Sequence, residues 1–121
     1  MNKHFYFERL EVWINSKNLA VQIYLLTEKF PSKEQFGLTS QIRRSTISIS
    51  ANIAEGISRK TNNDKARFIN QSFSSAIELL NYLIIIKDLQ WISYDEYENF
   101  RNQIELITNQ LNALYNKIKK G

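Results

Sequence analysis

Residues 41–60 read QIRRSTISISANIAEGISRK. Ile42, Ile49, Ile53 and Ile57 recur at intervals of seven and four, which puts them on one line of an α-helix. A polar line runs beside them through Gln41, Ser45, Ser48, Asn52, Glu55 and Arg59. Serines and alanines fill the space between. Such a helix presents a narrow apolar line with small flanks, so neighbouring helices can approach it closely. The fold is decided by whether the rest of the chain supplies helices to enclose it.

It does on both sides. Downstream, Ser58–Asn63 is a short polar loop, and either Thr61 with Asp64 or Asn63 alone can cap the next helix. Residues 64–89 carry two apolar lines. One runs through Ile69, Phe73, Leu80 and Ile84, the other through Phe68, Leu79, Leu83 and Ile86. A helix of that kind is covered on more than one side. Ser93 and Glu96 form a capping box. Beyond it Tyr97, Phe100, Ile104, Ile107, Leu111, Leu114 and Ile118 alternate steps of three and four, a coiled-coil-like seam. Upstream, residues 7–29 are amphipathic with a wide apolar arc, and Phe30-Pro31 ends that helix. Gly37 marks the next break. The expected fold is all-α: a single-domain, antiparallel up-down-up-down four-helix bundle over residues 1–121. Its helices cover about 7–29, 38–58, 64–89 and 94–119. The lysines at the C-terminal end are expected to fray.

Composition agrees. One proline and three glycines in 121 residues are too few turn formers for a β-sandwich or barrel. The 43% hydrophobic content supports one core. With no cysteine, disulfides and thiolate metal sites are excluded, and the expected location is the cytoplasm. The first residues, MNKHFYFERLEV, do not read as a signal peptide. The apolar run Leu79–Ile86 is far shorter than the roughly 20 residues a bilayer requires, so no membrane association is expected.

The net charge of +4 is unevenly spread. Residues 38–70 hold six basic and two acidic side chains, residues 71–116 two basic and six acidic, and KIKKG adds three lysines. Two readings stay open: steering of an anionic partner, or pairing of oppositely charged faces within or between subunits.

Few catalytic chemistries survive. The single histidine, His4, precedes the first helix and reads as a solvated residue. Di-iron Glu-x-x-His pairs, histidine-based zinc sites and His-dependent acid–base catalysis are thereby excluded. No glycine-rich phosphate loop occurs, and no cofactor is expected. Glu55 and Glu78 are the carboxylates of interest. Buried, either could act as an acid or base; paired with Arg43, Arg44 or Arg59, either would hold helix register. No nucleophile accompanies them, which favours the second role and argues against an enzyme. Gln41, Ser45, Ser48, Asn52, Glu55 and Glu78 are therefore expected to form a structural polar network. The remote alternative is a small-ligand or catalytic cavity on that line. Arg43, Arg44, Arg59, Lys60, Lys65 and Arg67 are the candidate nucleic-acid contacts, in two patches at opposite ends of one helix. The chain shows no aromatic-rich platform for a single strand.

Several segments together resemble a known family. They are FERLEVW at 7–13, FPSKEQFGL at 30–38, QIRRSTISISANIAEGISR at 41–59, and the spacing of Phe68, Glu78 and Leu79. They are similar to the four-helix bundle proteins encoded in intervening sequences of bacterial 23S rRNA genes. The resemblance implies a left-handed antiparallel bundle that assembles as a homopentamer. It also implies kinship with the basic, nucleic-acid-binding accessory protein of diversity-generating retroelements, whose partner is a reverse transcriptase. Arg43, Arg44 and Arg59 match the family pattern. Ser72 and Ser74 replace the small Ala and Gly usual in helix three, and the acidic C-terminal half departs from the basic accessory protein. The leading expectation is a non-enzymatic, self-associating bundle that acts as a scaffold or binds RNA or DNA. The alternative is a module whose partner is another protein.

Overall fold

A computed structural model describes residues 4–121; residues 1–3 of the expected domain lie outside it. Four helices follow one another: α1 Glu11–Thr27, α2 Leu38–Ile57, α3 Asn62–Asp88 and α4 Tyr94–Lys120. Short 3-10 turns occupy Tyr6–Arg9 and Ser32–Glu34, and no strand occurs among the described residues. Successive helices are antiparallel neighbours, and α4 returns beside α1 to close a four-helix bundle. The α2–α3 pair is the most intimate, and the α1–α4 pair touches least.

The local signals explain most boundaries. Thr61 Oγ1 accepts the Asp64 amide at 3.2 Å and opens α3. Ser93 Oγ accepts the Glu96 amide at 3.0 Å, while Glu96 Oε1 accepts the Ser93 amide at 2.8 Å. That reciprocal pair satisfies two N–H groups that have no helical acceptor. At the end of α3, Gln90 takes φ 64°, and the Trp91 amide bonds back to the Ile86 carbonyl at 2.9 Å. A left-handed residue after the last turn is the usual way to satisfy the final carbonyls, at some cost for a residue other than glycine.

Two ends differ from the expectation. The first helix begins at Glu11 rather than at residue 7, because Leu10 is extended (φ −74°, ψ 127°). The preceding turn is closed by Glu8, whose Oε1 accepts the Phe5 amide at 2.9 Å. That bond, ahead of one from His4, holds the Glu8 carboxyl below the ordinary carboxylate range. Phe7 packs edge-on against Trp13, with centroids 5.0 Å apart, and ties the turn to α1. At the other terminus α4 continues to Lys120, one residue past the expected end.

The core is a column of aliphatic side chains with no solvent exposure or nearly none: Leu19 and Ile23 of α1, Ile42, Ile49 and Ile53 of α2, Leu79, Leu83 and Ile86 of α3, and Ile104, Ile107 and Leu111 of α4. Burying each such side chain stabilises the fold by about 1.5–3 kcal/mol. Leu114 and Ile118 continue the α4 seam but are only half-buried. No described helix is long and apolar enough to cross a membrane.

The α2–α3 seam is close because its residues are small. Gly56 is buried, and a Cβ placed there would stand 2.7 Å from Phe68 Cβ. Ser72 donates to the Ile49 carbonyl of α2 at 2.7 Å. Two buried hydroxyls, Thr39 Oγ1 and Thr46 Oγ1, have no hydrogen-bond partner.

Candidate nucleic-acid interface

The polar line of α2 is a smaller network than expected. Ser48 is its centre: Ser75 of α3 donates to Ser48 Oγ at 2.8 Å, and Asn52 Nδ2 donates to the Ser48 carbonyl and hydroxyl at 2.8 and 2.9 Å. Ser45 is buried and donates within its own helix to the Ile42 carbonyl at 2.9 Å. Gln41, Glu55 and Glu78 stand exposed and join none of this. Glu78 accepts from Tyr82 Oη at 3.1 Å. Burial, then that bond, raises the Tyr82 phenol above its ordinary value. Neither Glu55 nor Glu78 makes the expected ion pair with Arg43, Arg44 or Arg59. The reason is rotational: Glu78 lies on the outer face of α3 beside Ile77, itself 47% exposed, despite its apolar neighbours in sequence. No group of three or more acidic or histidine side chains that could hold a metal occurs among the described residues.

The basic residues do fall at two ends. One end gathers the close of α2, the opening of α3 and the close of α4. Arg59 and Arg67 both stack on the ring of Phe68, at 4.5 and 4.7 Å from its centroid. Arg67 also meets Asp64 at 3.4 Å, an exposed pair of little energetic weight. Lys60 is exposed and Lys65 half-buried. Gly121, at the end of α4, lies beside Asn62, where a Cβ on the glycine would stand 3.5 Å from Nδ2. The α4 lysines Lys117, Lys119 and Lys120 therefore share this end with Arg59, Lys60, Lys65 and Arg67. They also complement the negative end of the α4 dipole. The up-down-up-down order alone implies this convergence, since it sets the end of α4 beside the α2–α3 loop. An expectation of fraying hides it.

Arg43 and Arg44 occupy the opposite end. Arg43 is committed within the fold: Nε donates to Thr27 Oγ1 at 2.7 Å, Nη2 to the Tyr24 carbonyl at 3.4 Å, and the guanidinium lies 4.7 Å over the Tyr24 ring. It clamps α2 to the last turn of α1. Arg44 is exposed. Between the two basic ends, Val21, Tyr24 and Leu25 of α1 and Ile47 of α2 are exposed around an apolar groove of 390 Å³.

Residues 8–113 match the sequence profile described as 23S rRNA-intervening sequence protein. The chain belongs to that family. Among solved structures it is similar to a Bacteroides thetaiotaomicron protein of unknown function from the S23 ribosomal protein family. The two share 27% sequence identity, with a TM-score of 0.79 over 86% of this chain and 97% of the other. No curated protein sequence matches the chain. This member of the 23S rRNA-intervening sequence family shares its four-helix fold with that relative.

Proposed function

We infer that this protein is a non-enzymatic, self-associating helical scaffold that binds nucleic-acid phosphate through the basic end of its bundle. One observation carries the reading: seven cationic side chains, Arg59, Lys60, Lys65, Arg67, Lys117, Lys119 and Lys120, share that end, drawn from the α2–α3 loop, α3 and α4. Charge gathered from separated segments at one end of a bundle is a footprint of sequence-independent phosphate contact. The apolar groove between α1 and α2 supports self-association, because an exposed apolar patch of this kind marks a contact surface. The pentamer rests on the family resemblance, as does kinship with the retroelement accessory protein. In a ring, the basic ends of the copies would lie together.

The test is a binding titration against salt with mixed-sequence RNA and DNA, on a sample whose mass is known from light scattering. Affinity falls steeply with salt. Replacing Lys117, Lys119 and Lys120 by glutamine lowers both the affinity and the slope, by about one unit of slope for each phosphate that is no longer held. Absence of binding at low salt removes the reading. The second reading, a module that docks another protein, is favoured by the same groove. Leu25→Arg separates the two, abolishing protein assembly while leaving phosphate contact by each chain in place.

A further inference from the structure

The turn between α1 and α2 brings together residues that lie far apart for a binding motif. Tyr24 comes from the last turns of α1, Gln35 and Phe36 from the turn, and Ser40, Arg43 and Arg44 from the opening of α2. They line a cleft of 350 Å³, at the small end of the range that ligand pockets occupy, about 300–1,000 Å³. Phe36 has 91% of its surface in solvent, so its ring adds nothing to the core and leaves its faces open.

The cleft is also built for an anion. Arg43 is fixed by Thr27, by the Tyr24 carbonyl and by the Tyr24 ring, with part of its guanidinium edge unused. Among the described residues, neither Arg43 nor Arg44 has a carboxylate within 4.0 Å. The 20-residue helix α2 starts at Gly37 without a side-chain cap. Early amides of that helix, including that of Ser40, have no helical acceptor, and the helix dipole adds positive potential. One carboxylate already stands at the helix start: Glu34 Oε1 accepts the Leu38 amide at 3.5 Å, which leaves the later amides of the first turn and the two guanidinium groups for an anion, and Glu28 lines the neighbouring cleft.

An exposed aromatic ring beside two guanidinium groups that have no carboxylate partner suits a nucleoside phosphate with an unpaired base. We propose that this cleft binds one nucleotide of a single strand, its phosphate at Arg43, Arg44 and the start of α2, its base stacked on Phe36. The proposal rests on the nucleic-acid reading and adds to it a preference for single strands, because a paired base offers no free face. Phosphate contact at the other end of the bundle carries no such preference.

The experiment measures fluorescence anisotropy of three labelled probes: a mixed-sequence single strand, the blunt duplex of the same length, and a nucleoside monophosphate. The single strand binds several-fold more tightly than the duplex. Phe36→Ala weakens single-strand binding about tenfold, as loss of one base–aromatic stack does, and leaves the duplex unchanged. Phe36→Trp retains the preference, and Arg44→Ala reduces the salt slope for the single strand by about one. Because Phe36 is outside the core, its loss does not threaten folding. A monophosphate bound as tightly as the strand, and equally dependent on Phe36, assigns the same cleft to a free nucleotide. If both strands bind with steep salt dependence yet ignore Phe36→Ala, the cleft is overturned and the basic-end reading survives. If nothing binds at low salt, both fall. If Phe36→Ala instead lowers the mass in light scattering, the ring is a contact between copies and the proposal fails.

Discussion

The α2–α3 seam and the α1–α4 seam are both built with polar side chains, and they behave in opposite ways. Across α2–α3 the polar groups are short. Gly56 faces Phe68, Ser72 reaches the Ile49 backbone, and Ser75 reaches Ser48, so the two helices touch almost at their main chains. Across α1–α4 they are longer, four amides and one carboxylate. Asn15 donates to Gln110, Gln103 to Gln22, and Gln110 to Glu11, at 3.0–3.2 Å, beside a small open cleft of 150 Å³. Side-chain length sets the helix spacing, and spacing decides whether water can replace a broken bond. The close seam specifies the bundle; the wide one only closes it.

Gly56 gives the largest effect. Gly56→Leu drives a side chain into Phe68 Cβ and the Lys65 carbonyl, both fixed to the α3 main chain, so the helices must part. The expected loss is about 3 kcal/mol, read from the urea midpoint. Gly56→Ala loses less, because overpacking is partly offset by about 1 kcal/mol of helix propensity. An alanine variant more stable than the parent would show that the seam has slack and would remove the comparison's premise.

Buried hydroxyls sharpen it next. Ser72→Ala deletes a buried interhelical bond and is expected to cost about 1 kcal/mol. Thr46 is equally buried on α2, but its hydroxyl has no partner. Thr46→Val keeps the shape and removes an unsatisfied group, so stability rises by up to about 1 kcal/mol. Equal losses for the two, measured by thermal or urea unfolding, would mean that shape rather than hydrogen bonding governs both sites.

What could be read beforehand follows the same division between local and tertiary causes. The caps at Thr61 and Ser93 and the α4 seam depend on residues three or four apart, and they stand as expected. The start of the first helix escapes a sequence reading because Glu8 closes its own turn on Phe5, which helical periodicity does not register. Sequence turns Glu78 inward because α3 is apolar on several sides, and periodicity does not say which side meets a neighbour; Glu55 joins the polar line of α2 by spacing alone, yet stands exposed. Arg43 stands on Tyr24, and Lys120 shares an end with Arg59, only because of how the helices turn back. Those pairings define the candidate sites, so the fold is more legible than the sites.

The smallest expected effect tests the wide seam. Gln103 Nε2 donates to Gln22 Oε1 at 3.0 Å, and the reverse bond is long at 3.5 Å. Both residues are only half-buried and line the open cleft. When Gln22→Ala removes one amide, water reaches the other, so no buried group is stranded and the desolvation penalty that makes broken hydrogen bonds costly does not arise. The expected loss is below about 0.5 kcal/mol. Distant sites add, whereas contacting side chains couple, so a double-mutant cycle with Gln103→Ala isolates the pair. A coupling near zero fits a seam that water can repair. A coupling of about 1 kcal/mol or more would mean that α1 and α4 are held as specifically as α2 and α3, and that short side chains are not needed for a selective helix contact in this bundle.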